Sequence, residues 1–238
     1  MPATTRPTVF TWLVCIAMLF APLAAQGMAV AFQHYGIGLA VRLFVHIALP
    51  VLITAWMRKE SLRAAFLHPL VIRDRERLRW SLRAGFLMGL VGVILIVGGY
   101  FLLQQFLNFD DIRTSLLTSF KVQPSVYPWV ALAIVLVNPF MEEYFWRGFL
   151  HRSFQDLSTT QFQRPFFLMV TGIFFAVHHM VIVAGWFTWP LFLIATVFLA
   201  AVGMFFNWMY SKSGSILSSW IVHVMADIAI VMFGFWMF

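Results

Sequence analysis

The chain is expected to fold as an all-α bundle of about seven membrane-crossing helices, the last four of them carrying the chemistry. Three observations predict this. Hydrophobic residues fill 62% of the 238 positions and charged residues only 11%, against about a quarter charged in a soluble domain. The apolar residues fall into runs of the roughly 20 residues that a helix needs to cross hydrocarbon. Those runs are apolar on all sides, whereas the strands of a transmembrane barrel alternate apolar and polar residues.

In order, the expected spans are Val9–Phe32, Gly36–Met57, Ala84–Leu107, Val126–Phe149, Pro165–Phe187, Trp189–Tyr210 and Ser215–Phe238. The first has the look of a secretory signal, with Arg6 before the apolar run and small residues at Ala21 to Ala25. Its apolar stretch continues through Ala31, long enough to span, so an uncleaved helix is the expectation. Between the second and third spans, residues 58–83 hold eight Lys/Arg against Glu60, Asp74 and Glu76. Basic loops stay in the cytoplasm. Placing this one inside puts thirteen of the sixteen Lys/Arg on the cytoplasmic side, leaving Arg113 and Lys121 outside and Arg42 within a span. A cytoplasmic N-terminus follows, and an inner (plasma) membrane of bacterial type is the expected location.

The net charge of +7 is therefore a topology signal that can also touch anionic headgroups, and no nucleic-acid partner is expected. Cys15 stands alone in an apolar run, which excludes a disulfide framework or a cysteine metal site.

The residues that carry chemistry are the charges inside the spans, where a carboxylate costs roughly 2.5–3.5 kcal/mol on insertion scales. Glu142 and Glu143 are adjacent in the fourth span, with Arg147 four residues beyond Glu143. That spacing puts Glu143 and Arg147 on one helix face as a supporting ion pair, and turns Glu142 about 100° away towards another partner. His178 lies in the fifth span; His223 and Asp227 share a face of the seventh. At about 1.5 Å per residue all four can meet around one cavity in the cytoplasmic half of the membrane.

A glutamate and a histidine can hold a water and accept its proton while further His or Asp groups stabilise the developing oxyanion. Glu142, His178 and His223 suit a divalent metal such as zinc equally well, since catalytic zinc sites use three protein ligands and a water. Composition leaves both mechanisms open. His179 competes with His178, because Phe174-x-x-x-His178 and Phe175-x-x-x-His179 overlap. His34, His46, His68 and His151 read as structural. Arg42 either pairs with a substrate carboxylate or snorkels.

The Glu-Glu-x-x-x-Arg of 142–147, the Phe-x-x-x-His of 174–178 and the His-x-x-x-Asp of 223–227 follow one another on successive spans. In this order they resemble the CAAX protease and bacteriocin-processing family of intramembrane proteases, which includes the type-two CAAX prenyl endopeptidases. The resemblance covers about residues 125–230. It divides the chain into N-terminal helices, 1–124, and a protease core, 125–238. It implies an endopeptidase acting on a membrane-associated protein or peptide near the cytoplasmic side. Glu142 would activate water with His178, and His223 and Asp227 would complete the site. The last position is often asparagine in the family; an ionised Asp227 accepts hydrogen bonds only, so its role would differ. Two rival readings are a non-catalytic immunity or scaffold protein of the same fold and a proton-coupled transporter. The sequence shows neither the related halves nor the broken helices of the latter. Oligomeric state and substrate are open.

Overall fold

The computed structural model describes residues 9–32, 35–104, 109–118, 123–184 and 187–237. Their regular structure is all helical, with no strand among them. The protein is a polytopic helical membrane protein: among the described residues six stretches are long and apolar enough to cross a membrane, namely Val9–Met28, Ile37–Arg58, Arg75–Leu103, Gln163–Val181, Trp189–Ser213 and Leu217–Phe235.

The first stretch is α1 (Val9–Met18) and α2 (Ala21–Phe32), broken at a turn just before Pro22. The second is α3 (Tyr35–Leu43) and α4 (Leu49–Arg58), joined by a π-turn over Phe44–Ala48. Pro50 has no N–H to give the carbonyl of His46, and a wider turn ahead of it accommodates that loss. Leu62–Leu67 forms α5, capped by the Ser61 side chain. The third long helix, α6, runs Arg75–Leu103 and starts well inside the charged segment. The Asp74 carboxylate accepts from the amides of Glu76 and Arg77 at 2.8 and 3.2 Å, and this N-cap sets the start. At about 1.5 Å per residue the helix exceeds the hydrocarbon thickness, so its arginine-rich first turns project beyond it. A short α7 (Phe109–Thr118) follows.

The expected fourth span is the exception to apolar length. It comprises α8 (Tyr127–Leu136), α9 (Asn138–Glu143), a π-helical stretch Tyr144–His151 and α10 (Arg152–Leu157). The break at Val137 sits where Pro139 cannot donate to the carbonyl of Val135. Every residue from 141 to 154 is buried, including Glu142, Glu143, Arg147, His151 and Arg152. A charged helix is tolerated at this depth only where protein, rather than lipid, surrounds it.

The surrounding wall consists of α3 and α4, α11 (Gln163–Val183), α12 (Trp189–Ser213) and α13 (Leu217–Met237). Helices α11 and α12 approach through facing glycines. A Cβ on Gly203 would lie 2.7 Å from the Gly172 carbonyl oxygen, and one on Gly172 would lie 2.7 Å from the Met204 amide. Small residues give membrane helices this close packing. Gly214, at φ +71°, ends α12 in the left-handed conformation, and the Ile216 amide then donates to the Pro69 carbonyl at 3.0 Å. That short turn lays α13 back beside α6 and against α9. Below the central helix, Phe66 and Leu70 pack on Tyr144, Tyr210 and Ile216, closing the end that carries the basic segment.

Candidate active site

The two carboxylates of α9 part company, as their angular separation predicts. Glu143 Oε1 accepts from Arg147 Nη1 at 2.8 Å. Arg147 Nη2 reaches the carbonyl of Gly203 at 3.2 Å, a contact that the glycine packing of α11 and α12 makes possible. The guanidinium carbon lies 4.3 Å from the centroid of Phe175 and 4.9 Å from that of Phe206. A fully buried cation is thus held by one carboxylate, one carbonyl and two ring faces.

Glu142 points the other way. Its Oε2 lies 3.6 Å from His178 Nε2, 3.5 Å from His179 Nε2 and 3.9 Å from His223 Nε2. Asp227 Oδ1 stands 3.9 Å from His223 Nε2. The structure therefore brings together Glu142, His178, His223 and Asp227, with Glu143 and Arg147 directly behind them.

Three features were not legible in the motifs. Glu143 Oε1 also accepts from His223 Nδ1 at 2.9 Å, so the supporting carboxylate orients a histidine as well as holding Arg147. His179 faces Glu142 at the same range as His178, and its Nδ1 donates to the Phe175 carbonyl at 2.8 Å. That bond fixes the tautomer and leaves a lone pair on Nε2 aimed at Glu142. His178 instead lies against the Trp146 ring, centroids 5.3 Å apart, with Nδ1 lacking a hydrogen-bond partner and Nε2 3.6 Å from Glu142 Oε2. Of the two overlapping Phe-x-x-x-His registers, Phe175 is buried beside Arg147 and His223, whereas Phe174 packs outward on Phe20. Third, Arg42 Nη2 lies 3.3 Å from Glu142 Oε1 and donates to Asn138 Oδ1. Its cost in the span and its spacing from Glu142 gave no hint of this, because the contact joins residues 100 positions apart.

The histidines read as structural remain outside the cluster where they are described. His46 Nδ1 donates to the Arg42 carbonyl at 2.9 Å, and His151 bonds Ser211 at 3.0 Å. His68 lies beside α5, and His34 is outside the described residues.

Residues 124–229, somewhat under half of the chain, match the family described as Type II CAAX prenyl endopeptidase Rce1-like. This stretch is a CAAX-protease domain. No curated protein and no solved structure matches the chain. The matched stretch contains Glu142, Glu143, Arg147, both candidate histidines of α11, His223 and Asp227, and the match supports an intramembrane endopeptidase of CAAX-protease type. Arg42 lies outside that stretch.

The donor atoms around Glu142 also suit a metal ion. Glu142, His178 and His179 offer ligand atoms all within 4.8 Å of one another, and His223, whose Nδ1 meets Glu143, keeps Nε2 3.9 Å from Glu142 Oε2. One carboxylate and two imidazoles are a donor set suited to zinc.

Proposed function

We propose that the protein hydrolyses a peptide bond of a membrane-associated protein or peptide with a water activated by Glu142. One observation carries the reading: Glu142 Oε2 faces three imidazole Nε2 atoms at 3.5 to 3.9 Å, a spacing that one water bridges. Glu142 takes a proton from that water, whose oxygen adds to the substrate carbonyl carbon as the π pair moves onto the carbonyl oxygen. Collapse breaks the C–N bond, and the proton on Glu142 passes to the leaving amine. His179, with its lone pair fixed, orients the water, and His178 lies beside His179, ring centroids 3.9 Å apart. His223, held by Glu143, stabilises the oxyanion. An ionised Asp227 accepts only and balances the charge on His223.

A divalent ion held by Glu142, His178 and His179 would supply Lewis-acid polarisation and a more acidic water. The one-sided Lys and Arg distribution supports a cytoplasmic N-terminus.

The test uses purified wild type and Glu142→Gln with two probes, a farnesylated CAAX-type peptide and an unmodified single-span peptide, products being read by mass spectrometry. Wild type is expected to cleave at least one probe, and Glu142→Gln neither, with its melting curve intact. Cleavage by Glu142→Gln at the wild-type rate would reject the mechanism. Activity insensitive to phenanthroline assigns the water to protein groups alone; loss that zinc reverses assigns an ion to the Glu142, His178 and His179 set.

A further inference from the structure

The site draws one cation from outside the CAAX-protease domain. Arg42 sits in a membrane span, where a charge is costly, and its neighbourhood is built to hold it. The Arg42 carbonyl accepts from His46 Nδ1 at 2.9 Å, within the π-turn Phe44–Ala48 that starts two residues later. Widened turns of this kind are common at functional sites. The Arg42 side chain is braced twice by α9: Nη2 donates to Asn138 Oδ1 and lies 3.3 Å from Glu142 Oε1. Asn138 and Glu142 are four residues apart, so both project from one face of that helix. The second carboxylate, Glu143, already has Arg147 at 2.8 Å. Arg42 is therefore not needed to neutralise Glu143, and its contact is with Glu142 alone of the pair.

The division of the Glu142 oxygens gives the contact a consequence. Arg42 takes Oε1, and Oε2 is left to the three histidines. A carboxylate held by one oxygen cannot rotate about its terminal bond without losing that partner, so the other oxygen stays aimed at the water site. We propose that Arg42 is a positioning residue for Glu142, supplied by the N-terminal helices to complete the site, an inference that rests on Glu142 being the base. Arg42 itself does not touch the reacting atoms in this reading.

The test uses the purified full-length chain and the same farnesylated and unmodified peptides. Arg42→Met is expected to lower kcat about 100-fold, the scale of loss from small misplacement of a reacting group, with KM held within about threefold. Arg42→Lys, which keeps the charge but loses the planar fork, recovers part of kcat and guards against a variant that fails to fold. Melting curves supply a readout independent of turnover. Arg42→Met should lower Tm in the wild-type background and lower it less in Glu142→Gln. An unchanged kcat, a loss confined to KM, or equal melting shifts in both backgrounds would overturn the proposal. A wild type that cleaves neither peptide counts against the hydrolytic function, and the melting cycle then still decides whether Arg42 holds Glu142.

Discussion

Replacing Arg147 by methionine removes a fully buried charge and leaves Glu143 ionised at 0% exposure. Breaking a buried ion pair by deleting one partner costs about 3–5 kcal/mol, because the remaining charge stays desolvated. Here the lower end applies, since His223 Nδ1 still donates to Glu143 Oε1 at 2.9 Å. Methionine also preserves apolar contact with Phe175 and Phe206, though it forfeits the cation–π attraction. For a chain of this size each kcal/mol moves Tm by about 2–4 °C, so a loss near 3 kcal/mol lowers it by about 6–12 °C. The assay is thermal melting in detergent followed by tryptophan fluorescence, for which ten Trp residues report. The double variant Arg147→Met, Glu143→Gln carries no stranded charge and should regain at least half of the loss. A single-variant shift under about 2 °C, or a double variant no more stable than the single, would refute the assignment of Arg147 as Glu143's buried counter-ion.

Two further outcomes follow from the same geometry. His179→Ala should lower kcat more than His178→Ala, by about 100-fold or more, the ordinary scale for a proton-transfer partner; steady-state kinetics on the cleaved peptide would show the reverse order if the Phe175 hydrogen bond does not select the working imidazole. Gly203→Val should reduce both Tm and folded yield, since its Cβ would meet the Gly172 carbonyl oxygen at 2.7 Å and push α11 from α12; a fully stable variant would mean that this helix contact is dispensable.

The split of Glu142 from Glu143 was legible because helical spacing alone sets it: i and i+4 share a face, and i+1 does not. The same rule put His223 and Asp227 on one side of α13. The six apolar spans were equally legible, because length and apolarity decide membrane insertion without reference to neighbours. Helix ends were less so. Asp74 extends α6 back to Arg75 by capping it, and Pro139 divides the fourth span at Val137. Both signals are local, but each competes with a hydropathy pattern that says nothing about where a helix begins.

The choice between His178 and His179 could not be read from spacing, since two phenylalanines and two histidines stand in tandem. Only packing turned Phe175 inward to Arg147 and Phe174 outward to Phe20. Arg42 shows the limit most plainly. Sequence by itself determined that this arginine lies in a membrane span, and left both a substrate carboxylate and snorkelling open to it. Which partner it finds was decided only when α3 packed beside α9, because the stability of a charge in hydrocarbon depends on atoms a few ångströms away in space, and those atoms lie 100 residues away along the chain.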